Sequence, residues 1–225
     1  YIICPNEAGK QEVMNFYGVP KERIFCLPQP ASQFVFDNLE PKSLKGLWPT
    51  QGTRPYLFYP AQFWPHKNHV MLLHALRLLK DTHKLDFDLV LTGSDKGNLK
   101  HVFKVAEELG VKSQVHHLGF VENEVLISLY KEAFALAFAS FFGPENMPPM
   151  EAFALGTPVI ASRVSGAEIQ MKDAAIYFNP TSEREFVECV LKLQMDMDLR
   201  ERLVSKGKAI TENWTPDIYI NKLIS

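Results

Sequence analysis

The residues best equipped for chemistry lie in one run, positions 139–162, which reads ASFFGPENMPPMEAFALGTPVIAS. Pro148 and Pro149 suit the first turn of a helix, where a missing N–H costs nothing, and Gly156 suits the residue just past its end. A short helix is therefore expected from about Pro148, between two strands. In an open α/β sheet, ligands sit at the carboxyl ends of strands, and free N–H groups at a helix start favour an anion. A diphosphate would rest against Asn146 and Met147. Glu151 falls in the first turn of that helix, where two roles compete: a carboxylate facing the helix dipole, or a bidentate acceptor for vicinal ribose hydroxyls. Composition alone leaves both open. His66, His69 and His74 also cluster in sequence, but no carboxylate completes a recognisable ligand set, so no metal site is expected.

These residues need a frame. From Pro55 onward, short apolar runs ending in turn residues alternate with segments of helical period, the pattern of parallel strands joined by crossover helices. Strands are expected at Tyr56–Tyr59, Phe87–Leu91, Val115–His117, Ala135–Phe138, Val159–Ala161 and Ala175–Phe178. Helices are expected at Asn68–Lys80, Leu99–Leu109, Val125–Lys131, Glu183–Gln194 and Leu199–Glu212. The clearest is the first of these, with an apolar stripe through Val70, Leu73, Leu76 and Leu79. The result is a doubly wound α/β sheet. Ahead of it, Tyr1–Cys4, Gln11–Tyr17 and Ile24–Leu27 read as a further strand-helix-strand unit, and the polar stretch 29–53 reads as a linker. Such a unit cannot bury its own faces, so the chain is expected to be part of something longer.

Composition narrows the class. Of 225 residues, 46% are hydrophobic and 22% charged, and sixteen are Phe, which is the range of a well-packed globular protein. The net charge of −2 provides no field to attract nucleic acid, so any anion site must be local. The three cysteines are odd in number, far apart and lack a Cys-x-x-Cys spacing, which fits a reducing cytoplasm and neither a disulfide framework nor zinc. Asn213-Trp214-Thr215 matches a glycosylation sequon, but Pro216 follows and the match is read as chance. No apolar run approaches the ~20 residues of a membrane span.

The 139–162 run resembles the signature of family 4 glycosyltransferases, in which two Glu residues separated by seven others precede a Gly-x-Pro-Val strand. The second Glu matches Glu151, and the resemblance implies the ribose role for it. The first falls on Gly143, and Glu145 is the nearest carboxylate, proposed beside the donor sugar. The run Tyr59-Pro60-Ala61-Gln62-Phe63-Trp64-Pro65-His66-Lys67-Asn68-His69 resembles the family's donor-side loop. Lys67 matches its Lys, a point charge for the leaving diphosphate, while Gln62 stands where an Arg is usual. Two weaker matches, around Gly93 and Ser94 and around Phe120 and Val121, imply contacts to the diphosphate and the nucleobase respectively.

The resemblance implies a Rossmann-like C-terminal half of a GT-B glycosyltransferase. In it, residues 1–50 would end an N-terminal acceptor domain and cross to residues 51–213, the nucleotide-sugar-binding domain. Residues 214–225 would form a helix returning to the N-terminal domain. The implied reaction is retaining, metal-independent hexosyl transfer from a UDP- or GDP-type sugar to a saccharide or lipid-linked acceptor, in polysaccharide biosynthesis. No cofactor beyond the donor is implied, and this segment alone would be inactive. Localisation would be cytoplasmic, with any membrane contact peripheral and through the N-terminal half. Two rivals share the scaffold: an epimerase or phosphorylase, and a non-catalytic sugar-nucleotide-binding domain.

Overall fold

Strands covered on both faces read as apolar runs, and five of the six strands of the central sheet are such runs, while the edge strand reads Val115-His116-His117. The computed structural model describes residues 1–37, 39–143 and 146–224. In chain order the elements are β1 (Ile2–Cys4), α1 (Glu7–Tyr17), β2 (Ile24–Cys26), β3 (Tyr56–Pro60), α2 (His69–His83), β4 (Asp88–Thr92), α3 (Leu99–Glu108), β5 (Val115–His117) and α4 (Asn123–Glu132). They continue with β6 (Ala135–Phe138), α5 (Met147–Leu155), β7 (Val159–Ser162), α6 (Ala167–Met171), β8 (Ala175–Phe178), α7 (Glu183–Met195), α8 (Met197–Glu212) and α9 (Pro216–Ile224). The sheet runs β5-β4-β3-β6-β7-β8, parallel throughout and flanked by helices, a Rossmann-like fold.

This order reverses at one place. From β3 the chain winds outward to β4 and β5, then returns to lay β6 on the other side of β3, pairing Leu57 with Ala135 and Phe58 with Leu136. Winding in opposite directions carries the loops after β3 and β6 apart, which opens a crevice at their carboxyl ends. The 139–162 run and the Lys67 run are the loops on either side of it.

The expected strands and helices match the observed elements to within a few residues. α1 starts at Glu7, four residues ahead of expectation, because Asn6 is its N-cap, accepting from the Gly9 N–H at 3.0 Å. β1 and β2 form a separate two-stranded parallel sheet. The five-residue helix α6 was not expected, being too short to show a period. The stretch 29–53, read as a linker, carries anchors: Leu44 and Trp48 are buried, and the Trp48 indole donates to Asp88 Oδ2 at 3.1 Å. Thr50 donates to the same carboxylate. Among the described residues no helix is long and apolar enough to cross a membrane.

α5, which opens onto the crevice, is fixed from behind by α8. A Cβ at Gly207 would stand 2.5 Å from Cδ1 and 2.8 Å from Cγ of Phe153, a ring buried in the core. Only a glycine lets the two helices approach this closely. Gly207→Val is expected to cost about 2 kcal/mol through overpacking, read as a lowered midpoint in urea denaturation. An unchanged midpoint would show that α5 and α8 are not held at this contact.

Candidate active site

Two loops meet at the crevice. The loop after β3 is pinned by its own backbone: the Tyr59 hydroxyl donates to the Lys67 carbonyl at 3.0 Å, the Lys67 N–H to the Trp64 carbonyl at 3.0 Å, and Asn68, at φ 57°, sends its side-chain amide to the Pro180 carbonyl at 2.8 Å. The loop after β6 is tied to the first, since the Phe141 N–H donates to the His66 carbonyl at 2.9 Å. Between them lies a cavity of about 360 Å³ with Lys67 on one side and Asn146, Met147 and Pro148 on the other. The structure thus brings together Lys67, Gln62, Asn146 and Met147.

Lys67 is half-buried, its ammonium 5.8 Å from the centre of the Phe138 ring, and burial pushes its pKa below the ordinary lysine value. No carboxylate among the described residues forms an ion pair with it. A half-buried cation with no carboxylate partner among the described residues, beside a largely apolar cavity, is poised for an anionic ligand.

The opening of α5 is leaner in donors than its sequence suggests. Asn146 is the N-cap, but its backbone N–H donates to Gln170 Oε1 at 3.0 Å, and Gln170 Nε2 returns a bond to the Asn146 carbonyl at 2.9 Å. Pro148 and Pro149 have no N–H. In the opening turn this leaves the Met147 N–H as the group able to meet an anion. Gln170 sits on the unexpected α6, so sequence reading could not have found it.

A second, smaller cavity of about 180 Å³ lies along the sheet toward β5, lined by Gly93, Gly119, Phe120 and Val121 and sharing Gln62 with the first. Gly93, at φ 119°, is required there: a Cβ would meet the Ala61 carbonyl oxygen at 2.7 Å. Phe120 is 96% exposed. Ser94 lines neither cavity; its carbonyl accepts from the Phe63 N–H at 3.0 Å.

Glu151 also lines neither cavity. It is buried on the far side of the helix start, where the Tyr130 hydroxyl donates to Oε2 at 2.6 Å and the Ser32 hydroxyl donates to Oε1. Each oxygen of this carboxylate thus already accepts a hydroxyl from within the fold. Glu145 lies outside the described residues. Gly143 adopts φ 139°, and a Cβ there would stand 2.7 Å from Asn146 Oδ1, whose own amide nitrogen holds the Gly143 carbonyl at 2.9 Å. A glutamate at 143 would be strained in this loop.

With crevice, cation and helix start in view, the sequence can be compared with known proteins. The chain belongs to the glycosyl transferases group 1, whose sequence model matches residues 44–210. It is similar to O-antigen chain mannosyltransferase B of Escherichia coli, 24% identical over 209 residues, 92% of this chain and 55% of that protein. It is also similar to O-antigen chain mannosyltransferase RfbU of Salmonella typhimurium, 27% identical over 202 residues, 90% of this chain and 53% of that one. The chain spans about half the length of these relatives. Among solved structures, a glycosyltransferase from Rickettsia africae superposes with a TM-score of 0.83 at 18% identity, covering 99% of this chain and 61% of that one. Anabaena HepE in complex with UDP-glucose gives 0.82 at 17% identity, with the same coverage.

His69, the first residue of α2, sits beneath Lys67 with neither ring nitrogen hydrogen-bonded, stacked 4.4 Å from Phe63 at 9°. Burial pushes its pKa down to about 4; the nearby Ala61 backbone opposes this without reaching hydrogen-bond geometry, and Lys67 and His117 add to it. The neutral form is thus favoured in the fold. The unfolded chain takes up this proton below about 6.5 and the folded one only near 4, so the contribution is complete above pH 6.5 and is lost as pH falls toward 4. Full protonation of the unfolded state would cost about 3 kcal/mol. His69→Phe should flatten the decline in urea stability between pH 7 and pH 4.5. Parallel curves for the two proteins would contradict this.

Proposed function

We propose that this chain is the donor-binding half of a retaining, metal-independent family 4 glycosyltransferase. It would transfer a hexosyl group from a nucleotide-diphosphate sugar to a saccharide or lipid-linked acceptor. The reading is supported above all by Lys67, a half-buried cation with no carboxylate partner among the described residues, facing the opening of α5 across the strand-order reversal. The mannosyltransferase names of the relatives and the UDP-glucose complex of HepE agree with a sugar-nucleotide donor. Retention and independence from metal rest on the family 4 resemblance of the 139–162 run.

In this reading the bond between the anomeric carbon and the β-phosphate oxygen breaks, and its electron pair passes to the diphosphate. The acceptor hydroxyl oxygen forms the new bond on the same face and gives its proton to a leaving phosphate oxygen. Charge grows on the diphosphate as the sugar becomes oxocarbenium-like, and the Lys67 ammonium and the Met147 N–H would stabilise it more in the transition state than in the ground state. Gln62, between the two cavities, would touch the diphosphate, with Gly93 and Ser94 on its β4 side. Phe120 and Val121 would enclose the base. Glu151 would exchange its bond from Ser32 for bonds from the ribose hydroxyls, and Glu145 is proposed beside the donor sugar. The activity needs an N-terminal acceptor-binding half. The setting is cytoplasmic, and a lipid-linked acceptor would be met at a membrane surface through that half.

A second reading, a sugar-nucleotide-binding domain without transfer, is favoured by Gly143, whose φ of 139° leaves no place for the family's first glutamate, and by Gln62. One variant separates the two. In the full-length protein, Lys67→Ala is expected to lower kcat by about 10²–10³, the usual cost of removing one preorganised charge-stabilising group, with little change in melting temperature. Turnover in wild type that is insensitive to this substitution would remove Lys67 from the mechanism. Wild type that binds UDP or GDP yet neither transfers nor hydrolyses any of their sugars would establish the second reading.

A further inference from the structure

Three rings lie together beside the Lys67 cavity, two of them in its lining and the third stacked on one of these. His66 and Phe142 stack with centroids 4.4 Å apart at 23°, and Trp64 continues the series 6.4 Å from His66 at 20°. Phe142 is 61% exposed and Trp64 42%. Both are nevertheless held in place. The Trp64 indole donates to Gln62 Oε1 at 3.0 Å, and the Ser140 hydroxyl donates to the Phe142 carbonyl at 2.7 Å. His66 and Trp64 line the cavity beside Lys67.

A flat apolar face beside hydrogen-bonding groups has a chemical counterpart. A pyranose presents C–H bonds on one face and hydroxyls around its rim. The negative face of an aromatic ring attracts polarised C–H bonds, and neighbouring donors and acceptors take the hydroxyls. We infer that the outer, exposed face of Phe142, backed by His66 stacked behind it and extended by Trp64, forms a stacking platform for the pyranose ring of a carbohydrate substrate, deepening the glycosyl-transfer reading on which it rests. Partial burial, and Lys67 next to it, lower the His66 pKa and so favour its neutral form, in which one ring nitrogen donates and the other accepts. A nucleobase is a poorer occupant: the cavity against Phe120 and Val121 lies on the other side of Gln62 and is already of a size for a planar group.

The platform spans two loops, so it exists only where the reversal of strand order brings them together. The pyranose could be the hexosyl group of the donor or a sugar of the acceptor, and the chemistry of recognition is the same for both. Calorimetry on the full-length protein with UDP and UDP-glucose, and with GDP and GDP-mannose, measures the affinity that the sugar adds. Turnover with methyl α-mannopyranoside as acceptor measures the other source. For a donor platform, Phe142→Ala weakens the sugar nucleotide roughly fivefold, the scale of one aromatic contact, and leaves the free nucleotide unchanged. For an acceptor platform, both affinities hold and the KM for methyl α-mannopyranoside rises by a similar factor. Phe142→Tyr, which keeps the ring, should restore either effect and excludes a folding defect. Equal weakening of nucleotide and sugar nucleotide, or no change in any of the three quantities, would overturn the platform. Wild type that binds no nucleotide would instead retire the glycosyl-transfer reading. The platform then stands if methyl α-mannopyranoside alone binds wild type and loses affinity on Phe142→Ala, and falls if it does not.

Discussion

The pairing of β3 with β6 is the constraint from which the rest of the molecule follows. Two residue pairs, Leu57 with Ala135 and Phe58 with Leu136, join halves of the sheet that wind in opposite directions. Parallel strands need crossover connections, and those connections leave the sheet edge in the direction of winding. Where the direction changes, no crossover covers the strand ends. The gap is therefore a product of topology, and whatever the loops after β3 and β6 carry is brought to face it. Here they carry Lys67 and the start of α5. Hydrogen bonds from the Tyr59 hydroxyl to the Lys67 carbonyl and from the Phe141 N–H to the His66 carbonyl then fix the two loops to each other and to the sheet.

The electrostatics of the crevice rest on few groups. A helix start ordinarily offers several N–H groups to an anion, but two prolines and the Gln170 clamp reduce this to Met147. The helix axis still points its positive end at the cavity, and among the described residues that line it the positive charge comes from Lys67. Partial burial both depresses the Lys67 pKa and strengthens its field, because the surrounding medium screens less than water. A single, well-placed cation in a half-enclosed site can matter more than several on an open surface.

The stretch 29–53 is anchored at both of its ends, to the sheet and to α5. Trp48 and Thr50 hold it to Asp88 at the amino end of β4, while Ser32 reaches Glu151 on α5. Its polar, proline-containing composition reads as a connection, and the two large buried residues that anchor it, Leu44 and Trp48, are too few to establish a period. The same holds for Ser32. Nothing in the local sequence marks a serine as the partner of a glutamate 119 positions later.

Local pattern was sufficient for the elements. Short, mostly apolar runs between turn residues specify the strands, Pro148-Pro149 and Gly156 delimit α5, and the alternation of strand and helix specifies a doubly wound parallel sheet, because each of these is a property of neighbours along the chain. The identity of Lys67, Asn146 and Met147 as residues facing one cavity was legible for the same reason: loops at strand ends face the crevice in any fold of this class. What only the tertiary structure decided depends on distances across the sheet. It placed Gln170 on the Asn146 amide, turned Glu151 to Tyr130 and Ser32, set Ser94 outside both cavities and stacked Phe142 on His66. Each of these joins residues from different loops or helices, and their separation is set by packing between layers, which no local run of sequence encodes.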